Sequence, residues 1–323
     1  MDEKRVQLRP LGKSGIRITP IGLGAWQFSK GQSFNRFFWK SLSEETQNAI
    51  VQAALDGGIN WFDTAEAYGF GRSERGLSHA LQAAGRSDGD VVIATKWMPF
   101  GRTAASIGKT IDKRQENLAP FHIDLHQIHN PNSFSQPEDE MDAMADLVLA
   151  GQIRAVGVSN FSAGQMLRAH SRIQAHGLPL ASNQVKYNLL DRQIEGNGIL
   201  EAARALGITI IAYSPLEWGV LTGKFHDNPG LVKRLPLVRR VSIGRMLEKS
   251  EPVIRLLKEI AAAHGVKPSQ VALNWLVNFS GQTVVAIPGA SKPHHAREAA
   301  GAMGFTLSDE ELARLDEATR PFK

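Results

Sequence analysis

The sequence predicts an α/β fold, specifically a closed (β/α)8 TIM barrel. Short apolar runs alternate with longer amphipathic segments, and eight runs can be placed. No stretch reads as a linker, a repeat or a low-complexity region. Strand–helix alternation implies parallel strands joined by right-handed crossovers, and eight such units suit a closed barrel better than an open sheet. One domain over residues 1–323 is expected, because α/β barrels often reach this length.

The strand-like runs lie at 18–24, 59–62, 91–95, 123–128, 153–158, 181–185, 208–213 and 283–287. A turn at 11–16, with two glycines, suggests a small hairpin ahead of the barrel. Helical spacing of apolar residues occupies 44–55, where Gly57-Gly58 supplies a stop. The pattern repeats at 73–84, 104–118, 138–150, 162–176 and 195–206, then at 252–264 with 269–277. A last helix is expected at 308–318, with Ser308 as N-cap and Glu311 completing a capping box. The longest irregular stretch is expected at 223–250, after the seventh strand. A loop of that length in a compact domain is usually functional or mobile.

The chain is 42% hydrophobic and 21% charged, which suits a large buried core. No apolar run reaches the roughly 18 residues of a membrane span, so no membrane partner is expected. The charged opening Met1 to Arg5 lacks the apolar core of a secretory signal. There is no cysteine, which removes disulfides, thiolate nucleophiles and cysteine metal sites. Together these features favour a cytoplasmic location. The net charge is +5. Basic residues are mostly mixed with acidic ones, and the densest patch runs from Lys233 to Arg245. Without a nucleic-acid motif, that patch suits a small polyanion rather than DNA or RNA. Whether the chain is a monomer or a homo-oligomer is not written in it.

Active sites of such barrels gather at the C-terminal ends of the strands. Asp63 ends the second strand, Lys96 the third and His129 the fourth, while Tyr68 sits in the loop after the second. Each alone has an ordinary structural reading: a loop anchor, a solvated lysine, a histidine bonded to backbone, a pocket wall. At consecutive strand ends they form a coherent proton-transfer set. A free phenol, with a pKa near 10, is a weak acid at neutral pH. A neighbouring ammonium is expected to lower that value, a carboxylate to hold the ammonium, and an imidazole to orient a carbonyl. His126 and His129 also form an H-x-x-H pair, but on a strand they point to opposite faces, so no metal site is expected. A Schiff-base role for Lys96 is disfavoured, since Asp63 keeps it protonated.

Phe62-Asp63-Thr64-Ala65-Glu66-Ala67-Tyr68-Gly69, Ile93-Ala94-Thr95-Lys96 and Gln127-Ile128-His129-Asn130-Pro131 resemble the aldo-keto reductase family. The likeness continues through Val156-Gly157-Val158-Ser159-Asn160-Phe161, Asn183 to Leu190, Ala212-Tyr213-Ser214-Pro215-Leu216, Leu221 to Phe225 and Ile287-Pro288-Gly289-Ala290. It covers nearly the whole chain and is closest to bacterial, plant and potassium-channel-subunit branches. The resemblance implies a catalytic tetrad of Asp63, Tyr68, Lys96 and His129. It implies NADPH (NADP+) bound without a Rossmann fold, with NADH possible.

On that likeness Ser159, Asn160 and Gln184 hold the carboxamide, and Tyr213 stacks on the nicotinamide. Ser214, Pro215, Leu216 and Leu221 line the pyrophosphate path, with Lys224 as a phosphate clamp. Ser291 and Lys292 meet a 2′-phosphate, with His295 and Glu298 nearby. Trp26, Asp63, Ile287 and Gly289 complete the cofactor site. Two departures stand out: Ala299 and His295 occupy positions where many relatives have Asn and Arg. The substrate pocket is expected from Trp26, Phe28, Tyr68, Trp97, Asn130 and Trp218. Phe100 and Phe134, with the cluster Phe34, Phe37, Phe38 and Trp39, are further candidates or loop packing. The expected function is NADPH-dependent reduction of a small-molecule aldehyde or ketone. The alternative is an NADPH-binding sensory or regulatory subunit with weak reductase activity; an intact tetrad argues for catalysis but is compatible with sensing.

Overall fold

A computed structural model describes residues 6–29 and 42–323; the aromatic cluster at 34–39 lies outside them. Strands β1 (Arg9–Pro10) and β2 (Arg17–Ile18) pair antiparallel as the expected hairpin. Eight parallel strands follow: β3 (Leu23–Gly24), β4 (Trp61–Asp63), β5 (Val92–Trp97), β6 (Leu125–Ile128), β7 (Ala155–Ser159), β8 (Leu180–Lys186), β9 (Thr209–Tyr213) and β10 (Val284–Ala286). Their order in the sheet is their order in the chain. Parallel bridges from Ile21 to Ala286 and from Gly24 to Gly289 join the last strand to the first and close the barrel.

Each strand alternates its side chains between the barrel interior and the helices outside. The interior is therefore layered. Trp61, Ala94, Leu125, Ala155, Ile211 and Val285 form one apolar cluster with Leu11, Ile16 and Ile18 of the hairpin region. The hairpin thus plugs the N-terminal end. One inward step further along the strands stand Asp63, Lys96, Gln127 and Tyr213, with Ser159 two steps beyond Ala155, towards the opposite end. The hairpin is pinned by Trp61, whose indole N–H donates to Thr19 O at 2.9 Å. Gly22 lies flat against that indole: a Cβ there would stand 2.3 Å from the ring.

The crossover helices are α1 (Glu44–Asp56), α2 (Arg72–Ala83), α3 (Ala105–Leu118), α4 (Pro137–Leu149), α5 (Ala163–Ala175) and α6 (Ile199–Leu206). Capping sets the starts of α1 and α5: Ser43 accepts from Thr46 N, and Ser162 with Gln165 forms a capping box. Beyond β9 come two single-turn helices, α7 (Lys224–Asp227) and α8 (Gly230–Lys233), then α9 (Leu237–His264) and α10 (Pro268–Asn278). The expected irregular stretch at 223–250 is therefore largely helical. Pro252 misled that expectation, for it lies inside α9 rather than at its start. Proline removes one helical hydrogen bond, and packing of Val253, Ile254 and Leu257 in the core outweighs the loss. An unforeseen helix, α11 (Pro293–Gly301), follows β10, and α12 (Asp309–Thr319) starts at the Ser308–Glu311 capping box. No helix among the described residues is long and apolar enough to cross a membrane.

The close fit at the plug makes Gly22→Ala a sensitive probe. Overpacking should cost about 1–3 kcal/mol, read as a lower urea midpoint with an unchanged slope. A midpoint equal to that of the native protein would show that the indole yields freely.

Candidate active site

The strand ends deliver their residues to one cavity of about 630 Å3. Asp63, Tyr68 and His129 line it, and Lys96 lies just behind. Lys96 is fully buried, donating to Asp63 Oδ1 at 2.5 Å and to Thr64 O at 2.8 Å. The other oxygen of Asp63 accepts from Gln184 Nε2 at 2.9 Å and from Gln127 Nε2 at 3.3 Å. The lysine Nζ stands 5.1 Å from the centre of the Tyr68 ring. His129 meets Tyr68 edge-on, with ring centres 5.7 Å apart, and Trp26 approaches from another side at 6.4 Å. Gln127 was not anticipated, although it lies two residues before His129 and so shares its inward face.

Electrostatics refine the expected picture of the phenol. Burial lowers the Lys96 pKa, but the nearby Asp63 and Tyr68 together raise it above the usual lysine value. The ammonium is thus firmly charged. For Tyr68, burial raises the pKa, Lys96 opposes and Asp63 adds to the rise; the net direction is upward. The expected lowering does not occur, because removing a phenolate from water outweighs one ammonium already neutralised by Asp63. Tyr68 is therefore a stored proton rather than a phenolate. Burial, then the charge on Lys96, lowers the His129 pKa to about 3, so this imidazole is neutral.

His126 points outward, its pKa lowered to about 3 by burial and Arg114, and its ring is absent from the cavity wall. Among the described residues no cluster suits a metal ion.

Trp26, Ser159, Asn160, Gln184, Tyr213, Ser214, Pro215, Leu216, Trp218, Lys224, Ile287, Gly289, Ser291, His295 and Glu298 also line the cavity. Asn160 links several of them: Tyr213 Oη donates to its Oδ1 at 3.0 Å, and its Nδ2 donates to Asn130 Oδ1 at 2.9 Å. Asn130 acts behind that wall rather than on it. Phe28, Trp97 and Leu221 are fully buried in the hydrophobic core and do not reach the cavity. The positions near the mouth that suggested a pocket for Phe28 and Trp97 also suit core packing, and Trp97 turns its indole N–H to Ser106 Oγ at 3.2 Å. Lys292 is exposed on the rim. Phe100 and Phe134 are exposed as well, at 72% and 79%.

Sequence reasoning passed over Gln27 and Lys186, and it met Arg239 only within the basic patch assigned to a small polyanion. Arg239 belongs to α9, in the stretch expected to be loop; it is buried, with Nη2 donating to Trp218 O at 3.1 Å. Several features of the wall fit a dinucleotide. Asn160, Ser214 and Trp218 hold positive φ values of 60°, 51° and 55°, a conformation rare for such residues. Gly289 leaves room where a Cβ would strike Gln27, whose buried Oε1 lacks a hydrogen-bond partner, as does His129 Nδ1. Cations converge at one end. Burial, Arg239 and Lys292 lower the Lys224 pKa; burial, His294, Lys224 and Lys292 lower that of His295 to about 4. Such crowding of positive groups favours a bound polyanion.

The aldo/keto reductase family profile matches residues 20–320, and the chain belongs to that family of NAD(P)H-dependent oxidoreductases. Chloroplastic pyridoxal reductase of Arabidopsis thaliana is 32% identical, over 98% of this chain and 86% of that protein. A thermostable aldo-keto reductase, Tm1743, solved with the inhibitor epalrestat, superposes with a TM-score of 0.76. It is 31% identical, over 97% of this chain and 99% of that one. An aldo/keto reductase from Klebsiella pneumoniae, solved with NADP and acetate, has a TM-score of 0.73 and 26% identity, covering 96% and 95% of the two chains.

The neutral imidazole is open to direct measurement. The His129 ring signals in an NMR titration should keep their neutral shifts down to about pH 4, against an ordinary midpoint near 6.5. A midpoint between 6 and 7 would contradict the burial described for this ring.

Proposed function

We propose that this chain, as one catalytic domain over residues 1–323, reduces an aldehyde or ketone to the alcohol with NADPH. The supporting observation is the buried Lys96–Asp63 pair set beneath Tyr68 and beside a neutral His129 on one cavity wall. When bound, NADPH supplies the hydride. The chain supplies everything else. His129, being neutral, has one ring N–H to donate, and it orients the carbonyl oxygen of the substrate. Tyr68 Oη gives its proton to that oxygen as the carbon is reduced. Lys96 stabilises the phenolate left behind, and Asp63 fixes Lys96 in place and in charge. Preformed charges of this kind need no reorganisation during the reaction.

Cofactor contacts follow the wall. Ser159, Asn160 and Gln184 offer hydrogen-bonding groups for a carboxamide, and Tyr213 offers a ring face. Ser214, Pro215 and Leu216 border the pyrophosphate path. Lys224, Arg239, Ser291, Lys292 and His295 suit the phosphate-bearing end, with Glu298 beside them. Trp26 and Trp218 flank the space left for the carbonyl substrate. The Klebsiella pneumoniae neighbour solved with NADP supports the choice of cofactor.

Tyr68→Phe keeps the ring and removes the proton. We expect kcat to fall on the order of 10²- to 10⁴-fold, while NADPH still quenches protein fluorescence with a near-native Kd. Turnover close to native would remove Tyr68 from its role. Since the Tyr68 pKa lies above the usual phenol value, single-turnover reduction should stay flat from about pH 6 to 9 and decline only when the pH climbs past the phenol range. Lys292→Ala should weaken NADPH about five- to tenfold and leave NADH nearly unchanged, as measured by cofactor titration. Equal losses for both cofactors would move the 2′-phosphate elsewhere.

A further inference from the structure

The segment from Ser214 to Gly219 leaves β9 with an unusual backbone. Ser214, Glu217 and Trp218 have φ values of 51°, 41° and 55°, and Gly219 continues at 91°. Non-glycine residues in the left-handed region cost of order 1 kcal/mol or more each, and they persist only where neighbours impose them. The chain's own turn bonds here, Glu217 N to Ser214 O and Gly219 N to Leu216 O, both 2.9 Å, define the turns but do not fix them to the barrel. Something outside the segment must do so.

Arg239 of α9 holds Trp218 O from one side; the anchor for Ser214 and Glu217 stands at the end of β8. Glu217 is 2% exposed, yet its carboxylate has charged and polar partners: Lys186 Nζ at 3.0 Å and Asn188 Nδ2 at 2.8 Å. The second hydrogen of the Asn188 amide donates to Ser214 O at 3.0 Å, so one side chain grips both ends of the turn. Asn188 is itself fixed, since its Oδ1 accepts from Leu190 N at 2.8 Å. Lys186 is shared with Asp191, 3.1 Å away. The cluster is thus a staple between a barrel strand and a strained loop.

We propose that Lys186 and Glu217 are positioning residues for the cofactor. By holding the left-handed turn against β8 they keep the wall formed by Ser214, Pro215 and Leu216 in its gripping shape. They thereby set how fast the cofactor leaves. This inference rests on the NADPH reading given above. An unstapled turn relaxes toward ordinary backbone angles, and the wall opens. A buried Glu217 without its lysine has the same effect, because an unpaired carboxylate seeks water.

The test is stopped-flow release of NADPH, followed by its fluorescence, from the native protein and from Glu217→Ala, Lys186→Met and Lys186→Arg. Native protein that binds no NADPH would refute the cofactor reading itself. With native binding present, we expect release to speed up about tenfold in Glu217→Ala and Lys186→Met, with Kd weakened to match. Lys186→Arg, which keeps the charge, should return release to within about twofold of native. Should Glu217→Ala fail to fold, the isosteric Glu217→Gln gives the same reading. Release within twofold of native in the folded variants, with only the melting temperature lowered, would overturn the proposal and leave the cluster a purely structural one.

Discussion

The buried pair of Lys96 and Asp63 is the constraint around which the mouth of the barrel is arranged. An ammonium with no exposed surface is tolerable only with a charge partner and satisfied donors. Asp63 and the carbonyl of Thr64 meet that need. Asp63 in turn has a second oxygen to satisfy, and Gln184 and Gln127 reach it from β8 and β6. Four strands are thus tied together by one carboxylate and one amine. Burial first, and this pair second, sets the electrostatics of Tyr68 and His129. The phenol keeps its proton, and the imidazole is denied one.

The layering of the barrel explains why polar groups of this kind can sit so deep. Side chains from alternate positions of the same strands serve two purposes. One layer, with Trp61, Leu125 and Ile211, packs against the hairpin and supplies the apolar floor. The next layer carries the reactive groups. Because the floor is dry and closely packed, charges just above it act through a poorly screening medium, where each counts for more than it would in water.

Much of this was legible in the sequence, and for a physical reason. A barrel strand is short and apolar, and its C-terminal end is where polarity returns; Asp63, Lys96 and His129 mark that change. Helix starts were legible where capping residues declare them, as at Ser308. What escaped was tertiary. Phe28 and Trp97 lie where pocket residues lie in the chain, but whether a ring faces a cavity or the core depends on how the neighbouring helix packs. The helical setting of Arg239 escaped, although its basic patch did not, because Pro252 suggested a helix start thirteen positions beyond it. Gln127 was readable in principle, from strand parity alone. The upward shift of Tyr68 needed three dimensions, since it depends on how completely water is excluded and on Asp63 having already spent the charge of Lys96.

The hairpin of residues 9–18 has a consequence for traffic. By filling the N-terminal end with Leu11, Ile16 and Ile18, it makes the barrel a blind vessel. Whatever reaches Tyr68 arrives through the same mouth by which it departs. Two guests of unequal depth in such a vessel form a queue: the deeper enters first and leaves last.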